Sequence, residues 1–360
     1  MYTLHFLSCL NCSNDLINRK EAACAASFFL PKKLNVMYNW EEIRDIVNDF
    51  IEKLEFEREP RDLYAPIRYT LSQSGKRVRP VLFLLAYNMY KECVQDALYP
   101  AVAMETYHNY TLIHDDVMDR ATIRRGKPTV CAKWGDTAAI LSGDTMLVLA
   151  YEFFSHVPAD KLPSMLALFT ETAKEIGDGQ QYDLGFEKCD NVREEEYLEM
   201  IRLKTSVLLA ASLKLGGMLA GAPEEDLKNL YSYGETMGLA FQLQDDLLDV
   251  YADQSLFGKK IGGDICCNKK TFLLITAMNL ASPEQLAVMK EWMERESFDE
   301  EEKIAYFTAV YNELGVKEIC EKRIQELFAK CDEYMARILL PDDKKECLKA
   351  FANSILNRNL

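Results

Sequence analysis

Trp40-Glu41-Glu42-Ile43-Arg44-Asp45-Ile46-Val47-Asn48-Asp49-Phe50-Ile51-Glu52-Lys53-Leu54 decides how the rest of the chain is read. Its apolar residues recur at three- and four-residue steps, which at ~100° per residue gather on one stripe of a helix. The same period returns near 79–92, 98–119, 136–155, 163–186, 195–221, 224–251, 270–280, 283–295, 300–313, 316–339 and 342–356. Alternating apolar and polar runs bounded by turn residues, the mark of strands, are nearly absent. Pro60, Pro100, Pro158, Pro163, Pro223, Pro283 and Pro341 fall between these segments or in their first turns, where proline is tolerated. Ser282 before Pro283 reads as an N-cap serine followed by proline at the first helical position. The pattern predicts one all-α domain, a bundle of about ten or more helices.

The chain has 360 residues, 49% of them apolar, enough for a sizeable core. A formal charge of −15 argues against a general nucleic-acid surface. Any anionic substrate must therefore meet local cations or metals. Eleven cysteines at irregular spacing do not make a disulfide framework and fit reduced thiols in a cytoplasm. Cys9 and Cys12 form a lone CxxC with no second pair and read as incidental thiols. No apolar run reaches the ~18–20 residues that would span a bilayer. Residues 1–36 lack both a helical period and the layout of a signal peptide. They are expected to be a dispensable or poorly ordered extension, with Met37 a candidate start and 37–360 the functional domain.

Two acidic clusters stand out. Asp115, Asp116 and Asp119 end an apolar segment that includes Tyr107, His108, Tyr110, Thr111 and His114. Asp245, Asp246 and Asp249 repeat the spacing after Phe241 and Gln242. On a helix each trio falls within about 100° of arc. Three like charges there repel one another, and near a helix C-terminus they also oppose the macrodipole. Such an arrangement calls for a compensating cation. Carboxylates are hard oxygen ligands, and magnesium takes one or two of them while keeping positions for water and phosphate. A pair of solvated acidic faces is the competing reading. His108 and His114 lack partners at zinc-site spacing.

Basic residues flank both clusters. Gly75, Lys76, Arg77 and Arg79 precede an apolar helix, and Arg124, Arg125 and Lys127 follow the first cluster. Lys204-Thr205 lies within a helical segment, and Gly258, Lys259, Lys260, Lys269 and Lys270 follow the second cluster. Arginine forks match phosphate oxygens, and lysine acts as a point charge. Each alone could be an ordinary surface charge. Their order beside the acidic pairs suggests anionic substrates held with metals.

In combination these motifs resemble the head-to-tail trans-isoprenyl diphosphate synthases, the family of farnesyl and geranylgeranyl diphosphate synthases. The resemblance covers about 38–356 and rests on GKRVRP, LIHDDVMD, RRGKPT, Gly143-Asp144-Thr145-Met146-Leu147, Gly179-Gln180-Gln181-Tyr182-Asp183-Leu184, the Lys204-Thr205 pair and FQLQDDLLD followed by GK. It implies helices around a central cavity, a homodimer, and about three magnesium ions on the allylic diphosphate. It implies Asp115, Asp119 and Asp245 as the firmest metal ligands, with Asp116, Asp246 and Asp249 supporting or acting through water. Arg124 and Lys259 would hold the allylic diphosphate with help from Lys204 and Lys269, and Gly75, Lys76, Arg79, His108 and Arg125 would hold isopentenyl diphosphate. Gln242, Thr205 and the carbonyl of Lys204 would face the allylic cation, with Phe241 as an aromatic wall. The departing diphosphate would serve as base.

The resemblance also implies that the growing chain runs along the first-cluster helix. Tyr110, five residues before Asp115, is then the expected floor, reinforced by Tyr107, while the small Thr111 leaves room. That argues against long polyprenyl products and for C15 or C20. A terpene cyclase also ionises an allylic diphosphate, but its second metal motif is usually not DDLLD and it needs no GKRVRP or RRGKPT. A head-to-head synthase and a non-catalytic subunit compete with the same reading, and the intact motifs weigh against the subunit.

Overall fold

The computed structural model describes residues 37–73, 75–189, 191–252 and 261–356. The chain divides into two units, residues 1–36 and 37–360, and all described residues belong to the second. The N-terminal extension and Lys259 thus lie outside the described residues.

The unit is an all-α bundle. Helix α1 (Trp40–Lys53) opens on a capping box: Asn39 Oδ1 accepts from the Glu42 N–H at 2.8 Å while Glu42 accepts from the Asn39 N–H at 3.1 Å. Its buried residues Ile43, Val47, Phe50 and Ile51 are those of the sequence stripe. Helix α2 (Arg61–Leu71) lies outside the segments that the periodicity predicted. Pro60 is its N-cap, and Pro66 sits inside it, where the proline ring removes a single N–H donor and the helix continues.

Helix α3 (Val78–Asn88) is buried on every side from Pro80 onward, the mark of a helix at the centre of a core. After a 3₁₀ turn (Val94–Ala97) comes α4 (Leu98–Met118), which ends at the first aspartate cluster and packs along α6 (Asp136–Phe154). Between them, strands β1 (Ile123–Arg124) and β2 (Lys127–Pro128) form a two-residue hairpin, followed by α5 (Val130–Trp134). Arg125 and Gly126 at its tip have φ of 52° and 73°, the doubly left-handed turn that suits a tight hairpin. Helix α7 (Leu162–Phe186) passes close to a π-helical turn (Arg202–Ser206) that joins α8 (Glu194–Ile201) to α9 (Val207–Ala220). Helix α9 packs on α3 and on α10 (Glu224–Tyr251), the helix of the second cluster.

The C-terminal part carries α11 (Gly263–Cys266), α12 (Phe272–Leu280), α13 (Pro283–Glu294), α14 (Glu300–Glu313), α15 (Val316–Arg337) and α16 (Asp342–Leu356). Helix α15 backs α10. Helix α13 starts at Pro283 behind a Ser282–Gln285 capping box, as the sequence suggested.

By length and composition alone, two helical stretches could cross a membrane, Asp136–Phe154 and Glu194–Ala220. Neither is one unbroken apolar run, so the sequence did not flag them. The second is largely core. The first leaves Ile140, Leu141 and Val148 exposed on its outer face.

Candidate active site

The two clusters and most of the basic motifs meet at one cavity of about 790 Å³. Several elements aim side chains into it. The turn before α3 brings Gly75, Lys76 and Arg79; α4 brings Tyr107, His108, Tyr110, Thr111, His114 and Asp115; the hairpin brings Arg124 and Arg125. From the opposite wall come Lys204 and Thr205 of the π turn and Phe241, Gln242 and Asp245 of α10.

At one end stand Arg79, Arg124 and Arg125, gathered around His108. Burial, followed by the fields of Arg79, Arg125, Arg124 and Arg77, pushes the His108 imidazole well below its ordinary value, so it is neutral. Burial lowers Arg79 to about 10, with Glu105 opposing and Arg125 adding to the shift. The Nε of Arg79 is buried and has no hydrogen-bond partner. Glu105 is already committed to a buried ion pair with Arg77 at 3.0 Å. Arg77, which the sequence did not single out as a site residue, also donates to the Leu71 carbonyl at 2.5 Å and to Asn48 Oδ1 at 3.0 Å. With its backbone at φ 48° it braces the turn that delivers Lys76 and Arg79. Lys76 lies on the rim and donates to the Ser354 carbonyl at 3.0 Å. Positive charge thus outweighs negative in a desolvated corner, an arrangement complementary to an anion with several oxygens.

Asp115 and Asp245 face the same cavity from different helices. Burial raises the Asp115 carboxyl; Asp119 and Asp116 add to the shift, while Lys204 and Arg124 oppose it. Lys204 is aimed by Asp183, whose Oδ2 lies 2.5 Å from its Nζ. Asp183 was visible in the sequence as part of GQxxDL but had no assigned role. The close approach of α7 needs Gly179, because a Cβ there would collide with the Lys204 backbone nitrogen. Gly143 does the same for α6, since a Cβ there would run into the His114 ring.

The aspartates within each trio do not share one environment. Asp116 is buried, and Arg124 grips its Oδ1 through Nε and an amino nitrogen, both at 2.8 Å. Asp246 is buried beneath Tyr197. Asp119 is exposed at the end of α4, outside the cavity wall. Asp249 accepts from the Asp264 N–H at 3.0 Å. The resemblance implied Asp115, Asp119 and Asp245 as the firmest metal ligands, with Asp116, Asp246 and Asp249 supporting or acting through water; the structure brings Asp115 and Asp245 to the cavity wall and gives Asp116 and Asp246 partners within the protein. Lys269 also lies off the wall, 3.9 Å from Asp264, and the fields of Asp264, Asp183, Asp246 and Asp119 raise its ammonium group against the effect of burial.

The floor is aromatic. Tyr107 is buried and donates to the Ala173 carbonyl at 3.2 Å. Its ring lies 5.5 Å from Tyr110 and 5.3 Å from Phe169, and Phe169 in turn packs on Phe154 and Tyr151. Thr111, one residue beyond Tyr110, also lines the wall.

Among the described residues, no group of three histidine, cysteine, aspartate or glutamate side chains stands ready to hold a metal by itself. What faces the cavity is one carboxylate from each cluster, beside cations suited to phosphate. That donor set fits magnesium, which is commonly held by one or two carboxylates and completed by water and substrate oxygens.

A family model described as polyprenyl synthetase matches residues 60–311. The geranylgeranyl diphosphate synthase of Methanosarcina mazei is 43% identical over 220 residues, 61% of this chain and 68% of the relative. A crystal structure of a geranylgeranyl pyrophosphate synthase superposes with a TM-score of 0.85 at 36% identity, covering 90% of this chain and all of that one. The geranylgeranyl pyrophosphate synthase of Corynebacterium glutamicum, complexed with isoprenyl diphosphate and magnesium, is 28% identical with a TM-score of 0.80 and covers 91% of this chain and all of its own. The chain belongs to the polyprenyl synthetase family, whose members are prenyl-transferring enzymes.

Proposed function

We propose that the chain condenses isopentenyl diphosphate with an allylic diphosphate, head to tail and in trans, to a C15–C20 isoprenyl diphosphate. The single observation that carries this reading is the pairing, in one cavity, of an arginine corner with a second anion site built from Asp115, Asp245 and Lys204. Two diphosphates need two such places.

In this reading Arg79, Arg125, His108 and Lys76, with Gly75 admitting close approach, hold isopentenyl diphosphate. Arg124 and Lys204, joined by Lys269 and Lys259, hold the allylic diphosphate. Asp115 and Asp245, with help from Asp119 and Asp249, would hold magnesium, which would supply neutralisation of charge on the leaving diphosphate. The Corynebacterium relative, complexed with isoprenyl diphosphate and magnesium, supports the metal, and the resemblance implies about three ions. The side chains do the rest. Lys204 and Arg124 stabilise negative charge as the allylic C–O bond breaks. Thr205, the Lys204 carbonyl and Gln242 turn their dipoles toward the cation, and Phe241 shields it from water. The isopentenyl double bond attacks, and the released diphosphate takes the proton. The aromatic floor stops growth at a short chain.

A terpene cyclase would use the allylic site alone, and the arginine corner favours the two-substrate reaction. The exposed Ile140, Leu141 and Val148 stripe of α6 supports a homodimer formed through that face; light scattering should show twice the chain mass, and a monomer would refute it. The functional test is incorporation of labelled isopentenyl diphosphate into a longer product, abolished by EDTA. Product formed without isopentenyl diphosphate would point to a cyclase instead.

A further inference from the structure

Asp245 and Asp246 are neighbours in sequence but not in role. One residue along a helix turns a side chain by ~100°, and here that step carries Asp246 from the cavity into the core, where it is 2% exposed. Three donors converge on it there. The Tyr197 hydroxyl and the Phe272 N–H, at 3.2 Å, donate to Oδ2; the Gln242 Nε2 donates to Oδ1 at 3.3 Å. Tyr197 is itself 2% exposed and belongs to α8, 49 residues away in sequence.

These contacts decide which way the Gln242 amide faces. Gln242 offers Asp246 its NH₂ end, the arrangement that an ionised carboxylate requires because it only accepts. Its oxygen then points the other way, where the Thr205 hydroxyl donates to Oε1 at 3.3 Å. Both Gln242 and Thr205 line the cavity. A glutamine amide is nearly symmetric in shape, and its two orientations are separated only by such a network. The three donors to Asp246 also offset the cost of burying it.

We propose that Asp246 is a positioning residue rather than a metal ligand: held by Tyr197 and the Phe272 N–H, it fixes Gln242 with the negative end of its amide toward the place where the allylic cation forms. The inference rests on the prenyl-transfer reading given above. The opposite amide orientation would point two N–H groups at a developing positive charge and oppose the reaction. Tyr197 acts at second hand, through Asp246, and touches no substrate.

The test is a cycle of variants in steady-state turnover. Tyr197→Phe keeps the ring that fills the core and removes only the hydroxyl. It should lower kcat about tenfold, the scale of one lost buried hydrogen bond, with the KM of both diphosphates and the half-saturating magnesium concentration unchanged. Asp246→Asn, whose NH₂ lets the glutamine amide reverse, should lower kcat at least as much and also leave the magnesium dependence in place. In a Gln242→Ala background, Tyr197→Phe should cause no further loss, because its target is gone. A full additional loss in that background would overturn the proposal, and so would a higher magnesium requirement in Asp246→Asn. Wild-type protein that fails to incorporate isopentenyl diphosphate would sink the underlying reading and this inference with it. Active wild type with undiminished Tyr197→Phe turnover would remove the positioning role alone.

Discussion

Tyr110 stands half-buried in the cavity wall, its ring 4.7 Å from His114 and 5.5 Å from Tyr107. Tyr107 is anchored to the Ala173 carbonyl and backed by Phe169, so the floor has two layers. Tyr110→Ala removes the upper one. It should lengthen the product by one isoprene unit, with Tyr107 halting further growth, as chromatography of the hydrolysed products would show. An unchanged product distribution would take Tyr110 out of the floor. The stripe Tyr107, Tyr110, Thr111 and His114 follows from helical spacing alone, and all four residues line the cavity. The resemblance ranked Asp115, Asp119 and Asp245 above the other three carboxylates, but spacing alone does not separate cavity-facing from buried ones. Asp115, Asp116 and Asp119 span an arc wide enough to include both cavity and core. What turns Asp116 inward is Arg124, eight residues on across a hairpin, and what buries Asp246 is Tyr197 of another helix. Such long-range partners leave no mark in local spacing.

At the scale of elements, the π turn at Arg202–Ser206 is what aims Lys204 and Thr205. The sequence showed an uninterrupted helical period through 195–221, because the extra residue in such a turn alters the side-chain pattern only locally. Its neighbour α7 reveals the need: Gly179 lies against the Lys204 backbone with no room for a Cβ. Gly179→Ala should therefore push the turn aside. We expect a stability loss of about 1–3 kcal/mol from overpacking, read as a lower melting temperature, and a loss of turnover larger than any rise in KM. A variant with normal stability and turnover would show that the close approach is dispensable. Helix α2 lay outside the segments predicted from periodicity, and it carries a proline within it. Proline is a statistical breaker, yet a helix that loses one N–H at Pro66 can persist once the rest of its face is buried.

Over the whole molecule, the acidic balance of the chain sharpens the meaning of its few clustered cations. With a net charge of −15, three arginines around a neutral histidine make a local exception, and Arg79 Nε is left without a protein partner there. The bundle architecture was readable from periodicity, and the meeting of GKRVRP, RRGKPT and both clusters was readable only as a resemblance. The packing of α3, α4, α9 and α10 turns those scattered motifs into one cavity lined by arginines, lysines and one aspartate from each cluster. The measurement that tests this most directly is incorporation of labelled isopentenyl diphosphate onto an allylic diphosphate, run on wild type, Asp115→Asn and Asp245→Asn across a magnesium titration. Wild type should give a C15–C20 product that disappears with EDTA, and in each variant kcat should fall about a hundredfold or more, the scale of lost charge stabilisation in a transition state, with more magnesium needed for half activity. Product formed equally well without metal, or variants as active as wild type, would contradict magnesium-dependent prenyl transfer.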